Sequence, residues 1–252
     1  MIVLRVVVNA LIMAIEFAAV AGIAWLGWKY PFEFAGATAV IAFLLGAYLH
    51  YEHLKFEYPF YFEGRRTPYL IVLRLISLGE SIVGGLVAGL VALITFSGAD
   101  DERRMAVAVC FAVAVFAGSS LLRRMSISLG AIPARWGFFR LAVPLGLVFS
   151  CGIAFAASLG YIRNVTLSDI GRQLVFEIPT KPNIDQVSDL LFNLKLYIDG
   201  VVASLLANLM TLEWAQILSL IISVNVLTGF IVAVYTVLIA EAVRWLERRS
   251  QF

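Results

Sequence analysis

Cysteine, histidine and charge are all scarce in this chain, and each scarcity excludes a class of site. The two cysteines, Cys110 and Cys151, fall inside apolar runs at no metal-like or redox spacing, so the sequence predicts neither a disulfide nor a thiol site. Charged residues make up only 14% of the chain, and no basic stripe alternates with aromatic residues as nucleic-acid binding requires. A catalytic triad, a glycine-rich phosphate loop and the paired-carboxylate arrangement of a glycosidase are also lacking. We therefore expect no enzyme, no cofactor and no nucleic-acid partner.

Apolar side chains are what the chain has in excess. They account for 62% of its 252 residues, and the mean hydropathy is +0.93, whereas soluble domains are about 45–50% apolar. The first apolar run, residues 6–28, is long enough for the ~20 residues that cross a bilayer and exceeds the ~7–15 residues of a signal-peptide core. We interpret it as a retained span. The sequence predicts an integral membrane protein.

Charged or proline-containing breaks divide the apolar sequence into six helical spans, because a helix satisfies its own backbone in lipid. The spans are residues 6–28, 35–54, 69–96, 105–122, 137–161 and 215–243. The predicted fold is all-α, a polytopic membrane protein with six transmembrane helices and a long external loop that carries a partly embedded helix before the last span. Its parts are a five-span bundle (1–161), the external loop with an amphipathic or re-entrant helix (162–214), and the last span with a cytoplasmic tail (215–252).

Orientation follows from the basic residues, which favour the cytoplasmic side of a membrane. Placing both termini in the cytoplasm puts most of the 19 lysines and arginines on the inner side. Tryptophan gives an independent check, because its ring prefers the headgroup level. Trp25, Trp28 and Trp214 then fall at outer span ends, and Trp136 and Trp245 fall at inner ends. The expected location is a plasma membrane or a bacterial inner membrane.

Two acidic residues fall inside the spans, where a charged side chain costs at least ~2.5–3.5 kcal/mol. Glu16 lies near the middle of the first span and Glu80 near the middle of the third. At similar depths, they could form a carboxylate pair that attracts a cation or shares a proton. The alternative is that each is protonated or hydrogen-bonded to a neighbouring helix. Beyond Glu80, the spacing of Gly85 and Gly89 predicts a close helix contact.

The only two histidines lie at the inner end of the second span. His50 and His53 are separated by three positions, and Glu57 follows a turn later, so one helical face carries all three. A His/carboxylate metal site requires such a face. However, Pro59 follows at once and no further histidine completes a ligand set. We expect no metal, and we interpret these residues as interfacial; they are the nearest candidates for ligands in the chain.

The stretch NLKLYIDGVVASLLANLMTLEW, residues 193–214, is apolar but interrupted by polar residues that include Asp199, Asn208 and Glu213. A helix is predicted to start near residue 185 and to continue through this stretch. Its polar positions form no single stripe, so a helix that only lies on the membrane surface is not favoured. The segment is predicted either to be half buried in protein or to dip into the membrane and return.

The order of the elements resembles that of the six-span pore-loop cation channels. The segment VLTGFIVAVYTVLIAEAVRW, residues 226–245, is similar to the pore-lining helix of two-span potassium-channel modules, with Gly229 where such helices carry a hinge glycine. The chain departs from the family at the selectivity filter, since ANLMTLEWAQ stands where a TVGYG-like run would be. The resemblance implies a homo-oligomeric pore lined by the last span. Its ion path would include Asp199, Asn208, Glu213, Asn225, Thr228 and Gly229.

Two other functions fit the same sequence. A non-catalytic subunit that anchors or assembles a larger membrane complex would account for the small-residue packing faces and for the absent chemistry. A proton-coupled small transporter would use Glu16 and Glu80, although the chain has no internal repeat and no matching pair of broken spans. We expect the channel-like function, possible cation conduction as a homo-oligomer, with the lipid bilayer and either further copies or other membrane subunits as partners.

Overall fold

The computed structural model describes residues 2–61, 69–97, 101–162, 184–222 and 224–250. Its elements are α1 (Ile2–Lys29), α2 (Pro31–Tyr61), α3 (Tyr69–Phe96), α4 (Asp101–Leu129), α5 (Pro133–Arg140), α6 (Ala142–Ser158), α7 (Ile184–Ala207), α8 (Leu212–Ile222), a 3-10 turn (Val224–Leu227) and α9 (Thr228–Ser250). These residues include no β-strand. The all-α fold class is confirmed.

Five helices, α1 to α4 and α9, are long and apolar enough to cross a membrane. The predicted third span coincides with α3 at both ends. By contrast, α2 and α4 extend beyond the predicted limits 35–54 and 105–122, because each helix continues into polar residues that an apolar window excludes. The membrane-spanning character that composition predicts is confirmed.

The predicted fifth span, residues 137–161, is wrong as a single straight helix. In its place α5 and α6 meet at Leu141 with a bend of 62°, and the bent pair is a sixth candidate span by length and composition. Pro144 in the first turn of α6 accounts for the break. A proline has no N–H to bond the carbonyl of Arg140 four residues earlier, and its ring would collide with that carbonyl in a continuous helix.

The predicted sixth span, residues 215–243, is also wrong as one continuous helix. Helix α8 ends at Ile222, and a 3-10 turn separates it from α9. The carbonyl of Val226 in this turn lies directly over Gly146 of α6, where any added Cβ would overlap it. The interruption is thus coupled to a contact with another helix.

The long connection is described only in its second half, from residue 184 onward. Helix α7 begins at Ile184, next to the predicted start near residue 185, and continues through Gly200. It packs against α8 and touches α3. The predicted start of this helix is confirmed, but its predicted continuation through residue 214 is wrong, because the helix ends at Ala207 and a turn at residues 208–211 separates it from α8.

Helix α9 is the centre of the bundle, with α1, α4, α5 and α6 packed around it and the α2–α3 pair alongside. An aromatic cluster joins four helices there: Phe34 lies 4.9 Å from Phe96 between ring centroids and stacks on Tyr235 at 5.4 Å, and Phe111 closes the group. The Tyr235 hydroxyl lies 2.8 Å from Oγ1 of Thr38. These buried rings fix the level at which α2, α3, α4 and α9 cross.

Helices α2 and α3 form an antiparallel pair in close contact. A Cβ built at Gly85 would lie 2.9 Å from the carbonyl oxygen of Ala39, and one at Gly89 would lie 3.0 Å from the Ala39 Cβ. The close contact predicted from the glycine spacing is confirmed. Since α3 packs mainly on α2, most of its outer surface is exposed, including Val83 at 60% and Leu86 at 67%.

Polar contacts hold the two ends of the bundle. At the basal end, where α1 begins and α9 ends, Nη2 of Arg123 lies 2.5 Å from Oε1 of Glu247 and so ties α4 to α9. At the opposite end, Nε1 of Trp28 donates to Oδ1 of Asp101 at 3.0 Å and ties α1 to α4. These contacts define the register of α4 against its neighbours.

Candidate functional site

The acidic and amide residues predicted to line an ion path occupy different environments. Asp199 is buried in α7, at 8% exposure, whereas Asn208 is exposed in the turn that follows α7. Glu213 lies in α8 and Asn225 in the 3-10 turn, and the side chains of both lie outside the described part of the chain. The placement of these four residues along one ion path therefore stays a prediction.

Lys195 is buried one turn before Asp199, at 7% exposure. Burial is the main cause that lowers the pKa of Lys195 to about 8; the charge of Arg103 acts in the same direction and Asp199 opposes it. A long cationic side chain held inside the fold indicates that this face of α7 packs against protein. The half-buried alternative predicted for this segment fits that placement.

The two candidate path residues at the start of α9 have packing roles. Thr228 is 1% exposed, and its Oγ1 lies 2.9 Å from Oγ1 of Thr95 in α3. Gly229 meets α6 so closely that a Cβ there would overlap backbone atoms of Ala142 and Gly146. At the position where pore helices carry a hinge glycine, the chain therefore has a tight helix crossing.

The middle of α9 is enclosed by other helices of the same chain. Every residue from Ile231 to Val237 is at most 3% exposed. This run covers about two helical turns, so all directions around the helix are occupied. A helix that lines an aqueous pore presents one face to water. These turns present none, which does not favour a pore lined by α9.

Glu16 is the most enclosed carboxyl group within a described span. Its side chain is 3% exposed, and the Ser119 hydroxyl of α4 donates to Oε1 at 2.5 Å. The Ser119 hydroxyl also lies 3.0 Å from the carbonyl oxygen of Phe116. The contact joins α1 to α4 in the interior of the bundle, and it is the hydrogen-bonded alternative predicted for this residue.

Glu80 lies on the outside of the bundle. Its Oε2 is 3.2 Å from Nδ1 of His50 in α2, and its side chain is 46% exposed. The rings of Phe138 and Phe139 in α5 stand edge-on to His50 at centroid distances of 5.6 Å. Glu16 and Glu80 thus have separate partners, and the carboxylate pair predicted from their depths is not formed.

The three candidate metal ligands also separate into different contacts. Nε2 of His53 lies 3.1 Å from Oε1 of Glu57, while His50 turns towards Glu80. The His53 ring stacks on Phe139 with a centroid distance of 4.8 Å. Across the described ranges, no three His, Cys, Asp or Glu side chains converge as a metal site would require.

A cleft of about 680 Å³ opens at the basal end between α2 and α5. Arg135 bonds Glu52 across it, Arg140 is exposed at its edge, and Trp136 is 39% exposed. Its lining consists of Leu49, Glu52, His53, Phe56, Ile132, Arg135, Trp136, Phe139 and Arg140.

Sequence reasoning did not find this cleft. The run PARWGFFR, residues 133–140, signals a basic and aromatic segment at a membrane boundary. The run gives no indication of the partner of Arg135, because Glu52 precedes it by 83 positions. Only the fold brings the end of α2 against α5.

Comparison of the chain with protein-family models, with curated proteins and with solved structures finds no match.

Proposed function

We propose that this chain is a non-catalytic, non-conducting membrane subunit that assembles with a helix of another membrane protein along the outer face of α3. The observation that carries the proposal is the position of Glu80. It lies on a membrane-spanning helix, close to half exposed, with the His50 ring in contact with it on one side. An ionisable group on a lipid-facing surface costs at least ~2.5–3.5 kcal/mol, so a protein partner is the more favourable neighbour.

The surface around Glu80 has the composition of a helix–helix contact in membranes. Gly79 and Gly84 have open space where a Cβ would stand, so a second backbone can approach closely there. Ile76 and Val83 are 45% and 60% exposed and lie on the same side of the helix. Small residues that permit close approach, together with one polar group, are the usual means by which helices associate in lipid.

The chemistry of Glu80 favours a partner that differs from this chain. A symmetric dimer across this face would bring two Glu80 carboxyl groups together, and like charges in a low-dielectric setting repel. A helix from a different subunit that presents a hydrogen-bond donor would complement the carboxylate. We therefore infer a hetero-oligomeric contact, and self-association is an outcome that the experiment below would detect.

Photo-crosslinking in native membranes tests the contact. A benzophenone residue at Val83 is compared with one at Val113 of α4, which is equally exposed at 59%. We expect a discrete protein adduct at Val83 alone. Glu80→Gln should lower its yield about threefold or more, since interhelical polar contacts contribute ~0.6–1.7 kcal/mol. Glu16→Gln is the matched control, because that carboxyl group is enclosed within the chain, and it should leave the yield unchanged.

Two results would overturn the proposal. Lipid adducts alone at both positions would leave α3 without a protein partner, and an adduct between two differently tagged copies would replace the second subunit by a homo-oligomer. The channel-like alternative is tested on the purified chain in liposomes. Cation flux that Asn225→Leu blocks and Glu213→Gln weakens would refute a non-conducting subunit, whereas the enclosure of Ile231–Val237 in the middle of α9 leads us to expect no flux.

A further inference from the structure

We propose that the basal cleft between α2 and α5 binds the phosphate group of an anionic membrane phospholipid, with Arg140 as the principal contact. This inference does not depend on the partner of α3. It rests on the charges that line the cleft, on their pairing, and on the apolar surface beside them.

The charges in the cleft leave one cation available to a ligand. Arg135 is committed to Glu52, and His53 is paired with Glu57. Arg140 is exposed and, among the residues that the structure describes, has no carboxylate within ion-pair distance. A guanidinium group presents several N–H donors in one plane and matches the oxygens of a phosphate. The cleft therefore favours an anion with phosphate-like geometry.

The other walls of the cleft are apolar and reach the surface. Phe56 is 84% exposed, Ile132 43% and Trp136 39%. Exposed aromatic and aliphatic groups beside arginine would be unfavourable around a fully hydrated small anion, whereas they suit the glycerol and first acyl carbons of a lipid. Tryptophan also prefers the headgroup level of a bilayer. An amphipathic ligand with a phosphate head fits both halves of this lining.

The position of the cleft also favours a phospholipid as the ligand. It lies where α2, a membrane-spanning helix, approaches its end and where α5 bends by 62° into α6. Basic residues at such a boundary attract anionic lipids with about 1 kcal/mol each. A phospholipid held there would lie against both sides of the α2–α5 contact.

Native mass spectrometry of the delipidated, detergent-purified protein tests the proposal. The probes are phosphatidylglycerol, zwitterionic phosphatidylcholine and water-soluble glycerol phosphate. We expect phosphatidylglycerol to bind more tightly than phosphatidylcholine, and Arg140→Gln to weaken phosphatidylglycerol binding about fivefold or more. Arg124→Gln is the matched control, because Arg124 is exposed on α4 and does not line the cleft. It should weaken binding clearly less than Arg140→Gln does, because Arg124 contributes only to the general charge of this surface.

A second variant is expected to strengthen lipid binding. Glu52→Gln removes the carboxylate that holds Arg135, so a second guanidinium becomes available and phosphatidylglycerol should bind more tightly than to the native chain. Equal binding of the two lipids, or equal loss in Arg140→Gln and Arg124→Gln, would overturn the site. Glycerol phosphate binding as tightly as phosphatidylglycerol would overturn the lipid and assign the cleft to a soluble phosphate ester.

Discussion

Gly229 offers a direct choice between a hinge and a packing contact. In the structure, a Cβ at this position would overlap the carbonyl oxygen of Ala142 and backbone atoms of Gly146. All of these are backbone atoms, so no side-chain rotation can relieve the overlap. A methyl group would lie more than 1 Å inside the ordinary contact distance of 3.4 Å, and Gly229→Ala therefore requires α6 and α9 to separate.

The expected cost of Gly229→Ala is about 2–4 kcal/mol of unfolding free energy. Overpacking of a tight contact costs about 1–3 kcal/mol, and displacement of α9 also weakens the contact between Thr228 and Thr95, worth about 0.5–1.5 kcal/mol. Gly22→Ala is the control, because a Cβ there meets nothing within 4 Å. Alanine is the better helix former by about 0.5–1 kcal/mol, so this variant should be neutral or slightly stabilised.

The assay is unfolding in mixed micelles of increasing SDS content, followed by tryptophan fluorescence. Gly146→Ala should destabilise the fold as well, and the double variant should cost less than the sum, because both changes disturb one crossing. If Gly229→Ala and Gly22→Ala had the same unfolding free energy within experimental error, the packing role would be refuted. If the same variant altered cation flux, the hinge interpretation would replace it.

Three further predictions concern single contacts. Tyr235→Phe removes the hydroxyl that faces Thr38 and should cost about 0.5–1.5 kcal/mol in the same SDS titration, with Thr38→Val adding little to it. Stability should rise with pH between about 8 and 10.5, because Lys195 loses its proton near pH 8 in the native state and near pH 10.5 in the unfolded state. Thermal unfolding at pH 7, 9 and 10.5 measures this rise, and Lys195→Met should abolish it. Arg123→Gln should cost about 1 kcal/mol by loss of the pair with Glu247, a coupling that a double-mutant cycle with Glu247→Gln should recover and that additive losses would contradict.

Hydropathy predicted the membrane helices well where a helix is regular. The third span coincides with α3 because Phe96 is followed by polar residues and the sequence before Tyr69 is charged. Pro144 in the fifth span indicates a break, since a proline four residues after Arg140 interrupts the helix between them. Because the residues around Pro144 are apolar, the mean hydropathy of this span stays high and does not reveal the break.

The break in the sixth span has no comparable local cause. The 3-10 turn Val224–Leu227 contains neither proline nor glycine, and its carbonyl at Val226 fits against Gly146 of α6. A contact between residues 80 positions apart cannot be read from a window of one span. The partners of Glu16 and Glu80 could not be predicted for the same reason. The sequence indicates how deep a residue lies along its span, but it does not indicate which neighbouring helix the side chain faces.

The central position of α9 has a consequence for how the chain is made. Helices α1 to α6, which surround it, all precede it in the sequence, so a ribosome delivers them to the membrane before the element that joins them. Helices in a bilayer are individually stable before they associate, and at about 5–20 residues per second the earlier helices wait for several seconds or longer. During that interval the surfaces that later cover Ile231–Val237 face lipid or an insertion factor. Biogenesis of this bundle is therefore expected to finish in one late step, and a nascent chain arrested before α9 is inserted should be a substrate for membrane proteases.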